Sequence, residues 1–355
     1  MMSRFAETVS PQRPGCVPLH TADASAMATR TPHDAQGALI SGHAEHTLPR
    51  MSSDTARPKV TLQTLIARKR ARQPITMLTA YDYSMARIEE AAGIDSILVG
   101  DSAAQVVLGF DSTLPATMNF MVAIAAAVRR GAPSVFLIGD MPYLSFSVTQ
   151  EDAIRNAGRF MAEAGCDCVK IEGDRRMAET VAAMTAASIP VMVHLGLRPQ
   201  AVHQYGGYRA QARDAESAAR LIEDARIVEE AGACLLLLEA IPPEPARLIS
   251  SSTNLPVIGC GAGPHCDGHV LVLHDILGLA GESSARFVKR YADVRSMIEA
   301  AVRAFVSDIT SRRYPSDGHC YPMEAGEAVK LENLHPGASA ISRGEPTPDR
   351  VGDTM

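Results

Sequence analysis

The sequence predicts an α/β chain folded as one (β/α)8 barrel. Eight short, nearly continuous apolar runs, helical patterns between most of them, and polar residues at the ends of many runs carry that prediction. Such runs suit parallel strands buried on both faces. Eight strand–helix units over roughly 200–250 residues suit a closed barrel. An open doubly wound sheet is the alternative. It would gather functional residues at one crevice, whereas a barrel turns every strand end to a single rim.

The runs begin near Ile75, Ser96, Ser134, Cys168, Pro190, Cys234, Pro256 and Val270. The clearest helical patterns cover 84–92, 118–130, 149–164, 175–187 and 214–231. Gly93, Gly131, Gly165 and Gly232 follow four of them, where a left-handed C-terminal residue is wanted. Thr149 with Asp152 predicts an N-terminal cap. Beyond the eighth run, 287–291 and 294–309 read as amphipathic helices packing outside the barrel or on another subunit.

Residues 1–57 mix Pro, Ser, Thr, Ala and His without sustained periodicity and are expected to be disordered, as is the tail 322–355. The barrel is expected over 58–321, with the outer helices at its C-terminal end. Met51 reads as the start of translation. A transit peptide is the alternative, disfavoured by Glu7, Asp23, Asp34 and Glu45, since such peptides avoid acids.

Hydrophobic residues make up 46% and charged residues 21%, as in ordinary soluble globular proteins. A net charge of -6 gives no reason to expect nucleic acid or an anionic membrane as partner. An anionic substrate would need local cations or a metal. No apolar run approaches the ~20 residues of a membrane span, and the N-terminus lacks the apolar region of a secretory signal. Seven scattered cysteines, several inside apolar runs, fit reduced thiols in the cytoplasm. Cys166-Asp-Cys168 lacks the second ligand pair of a zinc site.

Five runs end in acids: Asp101, Asp140, Glu172, Glu239 and Asp275. A buried carboxylate without a partner is costly. Several on one rim make an oxygen-rich site for a hard divalent cation. Asp101 and Asp140 are the first choice as direct ligands, with Glu172 bound directly or through water. One such acid alone would more often cap the next helix; the set argues against that reading. Lys170, two residues before Glu172, faces the same way. It can balance charge and hold a substrate carboxylate, or form a structural ion pair. Its acidic neighbours keep it charged, against a Schiff-base role. Glu239 follows four leucines, a setting that suits a general base. Ser102 can donate from its hydroxyl or amide. His194 ends the fifth run, where a satisfied core histidine is the commoner finding. Gly259-Cys-Gly-Ala-Gly263 resembles a phosphate-cradling turn or permits close backbone approach. Asp275 reads as structural.

Gly100-Asp-Ser102, Gly109-Phe-Asp-Ser-Thr-Leu-Pro115, Ala126-Ala-Val-Arg-Arg-Gly-Ala-Pro133 and Gly139-Asp-Met-Pro142 resemble ketopantoate hydroxymethyltransferase. Val169-Lys-Ile-Glu-Gly173, His194-Leu-Gly-Leu-Arg-Pro-Gln200, Gly206-Gly-Tyr208, Ile258-Gly-Cys-Gly-Ala-Gly263 and Leu273-His-Asp275 extend the likeness in order. It implies a barrel of the phosphoenolpyruvate/pyruvate type. It also implies transfer of a one-carbon unit from 5,10-methylenetetrahydrofolate to 3-methyl-2-oxobutanoate, giving 2-dehydropantoate on the route to pantothenate and coenzyme A. It implies Mg2+ at Asp101, Asp140 and Glu172, stabilising an enolate. It implies oxoacid binding by Asp101, Ser102, Asp140 and Lys170, a substrate-side role for His194, Glu239 as the base, and a homo-oligomer, a decamer in the family. The sequence departs from the family at Ala103-Ala104, Phe110, Arg209 and Ala212. Two other functions compete. One is a folate-independent, Mg2+-dependent lyase of the phosphoenolpyruvate mutase and isocitrate lyase type. The other is a catalytically weakened binding paralogue.

Overall fold

The structure is a computed structural model describing residues 57–280 and 285–335. The expectations for 1–56 and 336–355 therefore lie outside the described residues. The chain opens with α1 (Leu62–Arg70), β1 (Ile75–Thr79), α2 (Tyr83–Ala92), β2 (Ser96–Val99), a short α3 (Ala103–Val106) and α4 (Met118–Gly131). Then come β3 (Phe136–Asp140), α5 (Gln150–Ala162), β4 (Cys168–Glu172), α6 (Ala178–Ala186), β5 (Val191–Gly196), α7 (Val202–Tyr205) and α8 (Ala215–Glu230). The remainder is β6 (Leu235–Glu239), α9 (Pro243–Ser252), β7 (Val257–Cys260), β8 (Gly268–Leu271), α10 (Leu273–Ile276), α11 (Val294–Thr310) and α12 (Glu327–Leu334). The strands close in sequence order into a barrel, and β1 pairs in parallel with both β2 and β8.

Alternation along each strand separates two apolar layers. Ile75, Met77, Leu98, Phe136, Ile138, Met192, Leu235, Leu237, Ile258 and Val270 form one cluster, the barrel interior. Val60 and Leu65 join it, so α1 and its lead-in close one pole. The intervening positions, such as Leu137, Val169, Val193, Leu236 and Leu238, pack against Phe160, Met184, Val228 and other helix residues.

The expected caps form at Thr149, whose hydroxyl accepts from Asp152 N at 3.0 Å, and at the left-handed Gly93, Gly165 and Gly232. Gly131 differs: it is the last residue of α4 and has no positive φ. Its lack of a side chain serves packing, because a Cβ there would lie 2.4 Å from Tyr83 O on α2. The tail expected to lack structure holds α12, whose Glu-Ala-Val-Lys-Leu-Glu-Asn-Leu sequence is rich in helix formers.

Residues 287–291, expected as a first outer helix, form none: five residues are too few to hold a helix on their own. The expected second one, α11, has no buried residue; Met297, Ile298, Val302, Phe305 and Val306 are all exposed. The outward faces of β1 and β8 meanwhile line a 620 Å3 groove with Thr76, Leu78, His269 and Leu271. A helix following the eighth strand ordinarily covers that position.

Candidate active site

The polar residues singled out by sequence converge at the C-terminal ends of β2 to β6. Asp140 is the last residue of β3, Glu172 of β4 and Glu239 of β6; Asp101 lies two residues beyond β2. Two glycines set their positions. A Cβ on Gly139 would sit 2.4 Å from the Phe160 ring, so α5 packs hard on β3 while Asp140 faces inward. Gly196 has φ +93, and a Cβ there would lie 2.4 Å from Glu239 O; β5 can approach the end of β6 because that atom is missing. Ala240, directly after Glu239, is a non-glycine residue at φ 45, and its N–H donates to Cys260 O at 2.9 Å. Such a conformation costs about 1–3 kcal/mol and persists where its surroundings enforce it.

Lys170 Nζ donates to both oxygens of Asp140, at 2.7 and 2.8 Å, with the two side chains 5% and 2% exposed. Asp140 Oδ2 also accepts from Asp101 N at 3.0 Å. Gln200, in the loop after β5, ties the other acids together. Its Nε2 donates to Asp101 Oδ2 at 2.9 Å and its backbone N to Glu172 Oε2 at 2.9 Å. The Tyr81 hydroxyl holds Ser102 Oγ at 2.8 Å. His194 is fully enclosed between two carboxylates, with Nδ1 3.6 Å from Glu172 and Nε2 3.3 Å from Glu239. The first is too long for a hydrogen bond and the second lacks its geometry, so both ring nitrogens and Glu172 Oε1 are buried polar atoms without a hydrogen-bond partner. Asp101, Ser102, Asp140, Lys170, His194 and Glu239 line one cavity of 210 Å3, with Tyr208 and Phe287 among its other walls.

Charge explains the protonation states. Burial first, then the Asp140 carboxylate, push Asp101 well above the usual carboxylate range, with Lys170 and Gln200 opposing. Burial would discharge Lys170, but Asp140, Glu172 and Asp101 outweigh it and hold the ammonium above its ordinary value. Burial and Lys170 likewise oppose charge on His194; Glu172 and Glu239 overcome them and raise it. The imidazole is thus held toward its protonated form.

These residues fit a hard divalent cation. Asp101 is a buried carboxylate raised by a second carboxylate, a local deficit of positive charge that such a cation removes. Among the described residues, no group of three or more His, Cys, Asp or Glu side chains surrounds a common metal position. Mg2+ commonly takes only one or two protein carboxylates and keeps several waters. Asp101 and Asp140 are suited to direct contact. Glu172 lies beside His194 Nδ1 and already accepts from Gln200, the residue that also donates to Asp101.

The structure brings Asp101, Ser102, Asp140, Lys170, Glu172, His194 and Glu239 together. Sequence reasoning assigned no role to Gln200 or Tyr81, whose partners are far away in the chain. Within the glycine turn, Gly261 makes room for Phe287, since a Cβ would lie 2.4 Å from its ring. That turn serves close packing.

The model of the family described as ketopantoate hydroxymethyltransferase matches residues 59–317. A Chlorobaculum tepidum protein named 3-methyl-2-oxobutanoate hydroxymethyltransferase is 48% identical over 268 residues, covering 74% of this chain and 97% of its own. A Koribacter versatilis protein of the same name is 47% identical, covering 78% and 94%. Among solved structures, a phosphoenolpyruvate phosphomutase from Streptomyces platensis subsp. rosaceus superposes with a TM-score of 0.51 at 15% identity, covering 79% of this chain and 96% of its own. That last likeness concerns the barrel fold alone. The family match over the whole barrel, with relatives sharing nearly half their residues, shows that this chain belongs to the ketopantoate hydroxymethyltransferase family.

Proposed function

We propose that the protein transfers a hydroxymethyl group from 5,10-methylenetetrahydrofolate to 3-methyl-2-oxobutanoate, forming 2-dehydropantoate and tetrahydrofolate. The observation that carries this reading is one small cavity with two ends. Lys170, Asp140 and Asp101 form a charged end, and the Glu239 carboxylate beside His194 forms the other. An ammonium has three donors. Asp140 takes those of Lys170 that face it, leaving capacity for the oxoacid carboxylate. Ser102, fixed by Tyr81, offers a hydroxyl on the same wall. Asp101 and Asp140, with Glu172 directly or through water, would hold a divalent cation, which would supply Lewis-acid stabilisation of charge on the keto oxygen.

Glu239 accepts the proton leaving C3 of the oxoacid. His194 Nε2 lies 3.3 Å from Glu239 Oε2, on one side of that carboxylate, leaving Oε1 for the proton. The new carbon–carbon bond joins C3 to the methylene carbon, the bonds from that carbon to folate nitrogen break, and water supplies the hydroxyl oxygen. Tyr208 and Phe287 wall the cavity against solvent.

Purified protein with both substrates and Mg2+ is expected to form 2-dehydropantoate, and to lose activity when folate is omitted or the metal is chelated. Folate-independent cleavage of an oxoacid adduct would favour the lyase reading instead. Oxoacid binding without any turnover would favour a binding paralogue.

The same reading includes assembly into a homo-oligomer, for which the family resemblance suggests a decamer. The exposed apolar residues of α11 and the groove on β1 and β8 supply two surfaces that water covers poorly in a lone chain. A cytoplasmic location accords with the described cysteines, none of which is in a disulfide. No helix among the described residues is long and apolar enough to cross a membrane.

A further inference from the structure

The cavity beside Glu239 has an apolar wall as well as a charged end. Leu237, Cys260 and Val270 line it from β6, β7 and β8. Lys170, Asp140 and Asp101 come from β4, β3 and the turn after β2, on the opposite side of the closed barrel. Strand register sets the wall against Glu239. That residue pairs with Cys260 across β6 and β7, so the two side chains point inward side by side. Leu237, two residues before Glu239, faces the same way one step deeper. Ile258 pairs with Gly268, and the same alignment two residues on brings Val270 beside Cys260.

An oxoacid held by its carboxylate and keto oxygen at the charged end points its third carbon across the barrel, toward Glu239. The two methyl groups on that carbon then meet the apolar wall. Leu237 and Val270 are buried in the packed barrel interior, whereas Cys260 is only partly buried and turns surface to the cavity. Cysteine is smaller than the leucine and valine beside it, so it leaves a notch between them. Burial first, then the Glu239 carboxylate, pushes its thiol well above the ordinary value, so the notch is lined by a neutral sulfur that behaves as a small hydrophobe. The backbone there has little freedom to retreat. A Cβ on Gly259 would lie 2.9 Å from Cys266 Sγ, and one on Gly261 2.4 Å from the Phe287 ring. A change of size at Cys260 is therefore felt inside the cavity.

We propose that Cys260 sets the size of the C3 substituents the site accepts, its notch between Leu237 and Val270 seating the two methyl groups of the oxoacid beside Glu239. The assignment rests on the oxoacid reaction proposed above. Cys260 acts through contact with these unreacting groups and neither takes nor gives a proton.

Proton exchange at C3, followed by NMR in D2O with Mg2+ and without folate, isolates this contact: Glu239 removes the proton and a deuteron from solvent replaces it. The full-length protein is compared on 3-methyl-2-oxobutanoate, on 2-oxobutanoate, which lacks one methyl group, and on 3-methyl-2-oxopentanoate, longer by one methylene. Cys260→Leu fills the notch and is expected to lower kcat/KM for 3-methyl-2-oxobutanoate relative to 2-oxobutanoate by roughly 10- to 200-fold, the usual discrimination for one methylene in an apolar pocket. Cys260→Ala widens it and is expected to raise 3-methyl-2-oxopentanoate relative to 3-methyl-2-oxobutanoate by about tenfold or more. Each is a ratio within one protein, so a general loss of stability, which lowers every rate alike, does not move it. Ratios equal to wild type in a variant with wild-type circular dichroism overturn the assignment, and either variant alone decides it. Failure of the wild-type protein to exchange 3-methyl-2-oxobutanoate overturns the reaction proposed above and the assignment with it, an outcome distinct from the first.

Discussion

Glu239→Gln is expected to slow C3 proton exchange of 3-methyl-2-oxobutanoate by about 10²–10⁴-fold, the usual contribution of a positioned general base. Oxoacid affinity is expected to change by no more than a few-fold, because Lys170, Asp101 and Asp140 at the other end of the cavity are untouched. Exchange can be read by proton NMR in D2O with Mg2+ and without folate, which isolates this step. The cavity offers two candidate bases, Glu239 and His194, 3.3 Å apart. Charge decides between them. Glu172 and Glu239 raise His194 above its ordinary value against burial and Lys170, which favours the protonated imidazole and makes it the poorer proton acceptor. Wild-type exchange in the glutamine variant would remove Glu239 from that role and return it to His194.

That pairing shows where sequence reading stops. The barrel was legible because parallel strands buried on both faces appear as apolar runs, and the acids were legible because five of those runs end in one. Strand starts were misplaced by a residue or two, as at β8, where Gly268 precedes Val270. The helix α1 escaped notice because only Leu65 of its nine residues is buried, leaving almost no periodic signal. Gly131 was misread because a glycine ending a helix and a glycine admitting a neighbouring helix look alike in sequence. Within the site, Glu239 seemed set in leucine alone, yet its side chain meets His194, one strand away. A lone histidine at a strand end carries no sign of the carboxylates folding will place on either side. Gln200 bonds to Asp101, 99 residues earlier. No local pattern marks a loop glutamine whose function is to hold two acids contributed by other strands.

Lys170→Met is expected to destabilise the metal-free protein by about 3–5 kcal/mol, the range for removing one partner of a buried ion pair. Methionine fills much of the lysine volume, so the loss measures charge more than packing. With the ammonium gone, Asp140 keeps, among the described residues, only the Asp101 N–H, and Asp101 and Glu172 lose the nearby cation that offsets them. Protonation limits the damage and fixes its pH dependence. Asp101 is already raised, so the folded state binds its proton more tightly than the unfolded chain does. A group of this kind contributes its stability fully below the unfolded value, and that contribution is lost as pH rises through the folded one. Without Lys170 the acids should rise further. The gap in stability between variant and wild type should therefore widen from acid toward neutral pH, and Mg2+ should narrow it by supplying positive charge to the folded state alone. Denaturant titrations across that pH range, with and without Mg2+, read each effect separately. A gap independent of pH would mean that Lys170 acts through packing, and the charge balance assigned to the site would be wrong.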